Sequence, residues 1–83
     1  MIITIDGKRF DEIMNLIREV NLSRIRSGWW PVHVWFEYPP PTVVLPVDFR
    51  FGGGPAAEKL MELGHIEAPS SDANFACGFA IRL

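Results

Sequence analysis

The stretch Val32-His33-Val34-Trp35-Phe36-Glu37-Tyr38-Pro39-Pro40-Pro41-Thr42-Val43-Val44-Leu45-Pro46-Val47-Asp48-Phe49-Arg50-Phe51 decides how this chain folds. Val32, Val34, Phe36 and Tyr38 alternate with His33, Trp35 and Glu37, and after the triple proline Val43, Leu45, Val47, Phe49 and Phe51 resume the period of two that strands require. The pattern predicts a hairpin. A slip of one residue would set an apolar row against a polar one, so the register is constrained. A four-residue loop over 39–42 pairs Tyr38 with Val43, Phe36 with Leu45, Val34 with Val47 and Val32 with Phe49. It also sets His33 opposite Asp48 and Trp35 opposite Pro46, which has no amide hydrogen and therefore belongs at an edge or a non-bonded site.

Upstream, Ile3, Thr4 and Ile5 belong to a short β-branched run that Asp6-Gly7 closes as a turn, predicting a first strand over residues 2–5. From Asp11 the period changes. Ile13, Leu16, Ile17 and Val20 recur at three- and four-residue spacing, with Asp11 and Glu12 at one end, Arg24 and Arg26 at the other and Gly28 beyond. This predicts a helix over 11–26, with a potential break at Asn21-Leu22-Ser23. Downstream, Gly52-Gly53-Gly54-Pro55 opens a second helix carrying Ala56, Leu60, Met61 and Leu63, and Gly64 stops it. A polar connection over 67–72 leads to a last strand, with Phe75, Cys77, Phe79, Ile81 and Leu83 on one side and Ala76, Gly78, Ala80 and Arg82 on the other.

The predicted order is β-α-β-β-α-β over one α+β domain spanning 1–83. That is the order of a ferredoxin-like sandwich, a four-stranded antiparallel sheet with two helices on one face. With 83 residues, 48% of them hydrophobic and 12% aromatic, the chain can hold one modest core. A net charge of −2 provides no general field for a polyanion, so nucleic-acid binding is disfavoured. One cysteine excludes an internal disulfide and points to a reducing, cytoplasmic setting. No apolar run is long enough to cross a bilayer, so no membrane association is expected.

Reactive constellations are sparse. Cys77 falls on the core row and His33 with Asp48 on the other, so the sheet would separate the members of a cysteine–histidine–aspartate triad. His65 sits just past the second helix, where it can meet free carbonyls. Two histidines and one cysteine without close spacing do not make a metal site. Arg50 and Gly53 resemble part of the acetyl-coenzyme A loop of the GNAT acetyltransferases, but Pro55 removes an amide that a pyrophosphate would need. No cofactor is expected.

What remains is the sheet face turned away from the helices. It is expected to carry Trp35, Pro46, His33, Asp48, Glu37 and Arg50, extended by Trp29, with Arg24 and Arg26 as a second, charged contact. An exposed indole beside small residues is the composition of a protein-binding surface. The expected function is therefore non-enzymatic: stoichiometric binding that masks a partner protein's surface, as inhibitors and adaptors do, an economy shared by small phage and mobile-element proteins such as the anti-CRISPR class. The alternative is a homodimer or larger homo-oligomer with a small-ligand or enzymatic site at the Gly52-Gly53-Gly54 turn.

Overall fold

The computed structural model describes residues 5–38, 40–67 and 78–83. Helix α1 spans Gly7–Arg26, longer than its apolar period predicts. Asp6 does not close a hairpin turn: its carboxylate accepts from the amides of Lys8 and Arg9 at 3.1 and 3.2 Å, and so caps the helix. The helix runs unbroken through Asn21-Leu22-Ser23 and buries Ile13, Ile17, Val20 and Arg24 along one stripe. Asn21 is used outward. Its Oδ1 accepts from the amide of Val32 at 2.8 Å and its Nδ2 donates to the carbonyl of Val32 at 3.5 Å, which engages both backbone groups as a neighbouring strand would.

For that reason the first hairpin strand is short. β1 is Trp35–Glu37 and β2 is Thr42–Pro46, paired antiparallel as Trp35 with Val44, Phe36 with Val43 and Glu37 with Thr42. The register is two residues from the expected one, with the loop over 38–41. A shift of two keeps each side chain on its face and moves only its partner. Thr42 explains the shift: its hydroxyl donates to the carbonyl of Pro40 at 2.7 Å, which ends the loop one residue early.

β2 stops at Pro46, and Val47–Arg50 turns into a 3-10 helix instead of continuing the strand to Phe51. The expected pairing of His33 with Asp48 is thereby lost, because neither residue lies in the ladder. Helix α2 spans Gly54–Leu63, β3 is His65–Glu67 and β4 is Gly78–Arg82. β3 is a strand the pattern does not predict: it lies between the end of α2 and the polar connection, and meets the latter only at Glu67. The passage from α2 into β3 is close: a β-carbon at Gly64 would press on the carbonyl of Ala80 and lie 2.8 Å from Cγ1 of Ile81.

The sheet order is β1-β2-β4-β3, with every neighbouring pair antiparallel. The α+β class with two helices and a four-stranded antiparallel sheet is as expected, but the ferredoxin-like wiring is not found. That wiring would seat an N-terminal strand beside β2, and β4 takes the position. Residues 2–4 of the expected first strand lie outside the described residues, as do Phe75, Ala76 and Cys77; Ile5 is described and lies in no strand. Val43, Leu45, Phe79 and Ile81 form the inner sheet face, closed by Ile13, Ile17 and Val20 of α1 and by Ala56, Ala57 and Leu60 of α2. Phe49 folds in from the 3-10 turn onto Phe79, their ring centroids 5.0 Å apart.

Candidate functional site

Arg24 organises the surface next to this core. It is 3% exposed, and its guanidinium donates to the carbonyls of Trp30 (2.8 Å), Asp48 (2.9 Å) and Phe51 (2.6 Å), with a longer contact to Phe49 at 3.5 Å. Expected as an exposed contact, it is instead internal. The reason lies at the 3-10 turn, where the carbonyls of Asp48, Phe51 and Trp30 converge on one planar, multi-donor cation. One side chain thus ties the C-terminal end of α1 to the segments around Trp30 and Phe51.

Around this tie the apolar side chains are displayed outward. Trp29 stacks on Phe51 at 5.9 Å and 20°, and Arg24 lies 5.5 Å from the centroid of the Trp29 ring. Gly52 is required beneath it. Its φ is +72°, and a β-carbon there would come within 2.5 Å of Cδ1 of Trp29. Beyond Trp29, Trp30 is 85% exposed while its carbonyl is held by Arg24. On the other side of Phe51 opens a groove of about 340 Å³, floored by Phe49 and Phe79 and walled by Val47, Phe51, Met61 and Ile66. Asp48 and Arg50 supply its polar groups, and the Arg50 guanidinium lies 5.4 Å from the Phe51 ring centroid.

The other sheet face is different from the platform expected of it. Trp35, Glu37 and Pro46 lie on it, but Thr42, Val44 and Ala80 at its centre are buried. Trp35 is half-buried, with its indole nitrogen withdrawn from solvent. Across β4 the Arg82 guanidinium donates to Thr42 Oγ1 at 3.0 Å and to both carboxylate oxygens of Glu67 at 3.0 and 3.1 Å. Hydrogen bonding from Arg82 holds the Glu67 carboxyl below its ordinary value, and His65, 3.3 Å from Glu67, adds to the effect. These groups form a surface polar network around a buried centre.

The predicted residues therefore divide between places. Trp35, Glu37 and Pro46 share the second face; His33 is exposed on the segment before β1; Asp48 and Arg50 line the groove on the helix side; Trp29 joins the groove through Phe51; and Arg26 is exposed near the end of α1. Sequence reasoning missed Trp30, Val47, Phe51, Met61 and Ile66 as surface residues. Two signals pointed to the first three: Pro46 inside an apparent strand, and adjacent tryptophans directly after a helix-stopping glycine. Among the described residues no three metal-ligating side chains cluster, and no helix is long and apolar enough to cross a membrane. The chain matches no protein-family model, no curated protein and no solved structure.

Proposed function

We propose that this protein acts without catalysis, by binding a protein partner stoichiometrically and covering part of its surface. The observation that carries this reading is the continuity of exposed apolar side chains from Trp30 through Trp29 and Phe51 to the groove beside Ile66. Exposed indoles on a pinned backbone contribute contact area with little ordering cost, which is how a few side chains come to dominate an interface. The groove lining supports contact rather than chemistry, being aromatic and aliphatic with a single Asp48 and a single Arg50. Masking a surface needs no more than this. The reading moves the binding surface away from Trp35 and toward Trp30, keeping Trp29, Asp48 and Arg50 within it.

The test is affinity capture from the source cells with wild-type, Trp30→Ala and Trp35→Ala baits. A specific protein lost with Trp30→Ala and retained with Trp35→Ala supports the groove surface. Loss with Trp35→Ala alone returns the interface to the sheet face. Equal retention by all three baits removes both anchors.

A further inference from the structure

The patch that carries the proposed binding contains both a projection and a socket. Trp30 projects at 85% exposure, yet its backbone is fixed on both sides: Arg24 holds its carbonyl and Asn21 engages both backbone groups of Val32, two residues on. The groove of about 340 Å³ has room for one indole, and its floor of Phe49 and Phe79 with walls of Phe51 and Met61 offers aromatic and thioether contacts to such a ring. Trp29 and Phe51 link the two features through a stacked pair.

A projection and a socket on one surface allow two copies to engage each other about a two-fold axis, residue i of one meeting residue j of the other and the reverse. We propose that the isolated protein is a two-fold homodimer in which Trp30 of each copy fills the groove of the other. The proposal rests on reading the patch as a protein-binding surface, and it names the occupant: a second copy of this chain.

The area supports that occupant. Trp30 and Ile66 are 85% and 66% exposed, and Trp29, Val47, Phe51 and Met61 are 40–47% exposed. Over these whole residues that amounts to roughly 700 Å² of exposed surface on one copy, more than half of it from the three aromatics. The largest apolar patch of a typical monomer is about 300–600 Å². One side of a standard interface buries about 800 Å², so this patch supplies most of one side, and a second copy brings the same patch to meet it. An outside partner using the same residues has to compete with this pairing, so its apparent affinity falls as the concentration of the chain rises.

Sedimentation equilibrium on the whole chain, with circular dichroism to confirm folding, reads the result. Wild type is expected as a dimer at micromolar concentration. Removing two buried indoles per dimer with Trp30→Ala should weaken it by at least about a hundredfold, and Ile66→Arg should block the groove to similar effect. Because both residues are highly exposed, both variants should keep the fold. Mixing the two variants is the decisive arm: a heterodimer regains one intact insertion, from Trp30 of the Ile66→Arg chain into the free groove of the Trp30→Ala chain. Dimer in the mixture but in neither variant alone supports insertion of Trp30 into the groove, and a wild type that stops at two copies supports its being reciprocal, whereas open-ended oligomers overturn the two-fold pairing. A monomeric wild type, a dimer indifferent to Trp30→Ala, or a mixture that stays monomeric overturns it. A monomer whose captured partner is still lost with Trp30→Ala overturns the self-pairing and leaves the binding surface standing.

Discussion

Replacing Arg24 with methionine isolates what a buried guanidinium contributes to this fold. The substitution keeps most of the buried aliphatic stem and deletes the guanidinium, so the carbonyls of Trp30 and Phe51 lose donors at 2.8 and 2.6 Å, while that of Asp48 loses one at 2.9 Å and keeps the amide of Phe51 at 3.1 Å. Hydrogen bonds to a charged group contribute about 1.5–3 kcal/mol each, and a stranded buried acceptor costs about 1–3 kcal/mol. All three acceptors are only partly buried, so water recovers some of that loss and the lower figures apply. The expected destabilisation is about 3–4 kcal/mol, against a total stability of roughly 4–12 kcal/mol for a chain of this length. Urea unfolding followed by tryptophan fluorescence measures it. With a slope near 1 kcal/mol per molar for so small a domain, the midpoint should fall by about 3–4 M, or the variant should be unfolded in buffer. Arg26→Met, at an exposed position on the same helix, is the control and should shift stability by no more than about 0.5 kcal/mol. Arg24→Lys should recover less than half of the loss, because one ammonium cannot address three carbonyls arranged around a planar fork. A loss below about 1 kcal/mol for Arg24→Met would refute the view that this side chain holds the 3-10 turn to α1.

Other perturbations follow from the same contacts. Asn21→Ala removes both bonds to Val32 and should cost about 1–2 kcal/mol in urea unfolding, with faster amide exchange at Val32; unchanged exchange would contradict the tether. Gly52→Ala forces a β-carbon into Trp29 at a positive φ and should cost at least about 2 kcal/mol while altering indole fluorescence; a neutral result would mean that Trp29 does not rest there. Glu67 is held below its usual pKa of 4.5 by Arg82, so the folded state favours its ionised form. Its contribution is present above pH 4.5 and disappears as the pH falls through the lower folded value. Thermal unfolding of Glu67→Gln should therefore differ from wild type near neutral pH and converge with it in acid, and a constant difference would count against the pair.

Local pattern carried much of the architecture. The apolar stripe of α1, the Gly-Pro start of α2 and the alternation on either side of Pro40 all appear as elements because each depends on neighbours within a few residues. Asp6 was misread because an aspartate before a glycine suits a turn and a helix cap equally, and which one forms depends on the chain that follows. The surface was harder to read. Val47, Phe49 and Phe51 alternate like a strand, yet Phe49 enters the core while Val47 and Phe51 border the groove, because Pro46 cannot extend the ladder and Arg24 gathers the carbonyls beyond it.

By itself, the sequence determined the class: two helices and a set of strands around one core. Periodicity is a local property, and burial follows it. Only the tertiary structure decided the wiring β1-β2-β4-β3, the two-residue register shift, the internal role of Arg24 and the side of the molecule on which the aromatics gather. Each of these is a contact between residues distant in the chain. Which carbonyls a buried guanidinium meets, and which strand a free edge accepts, are set by the closing of the whole fold rather than by the order of neighbouring residues.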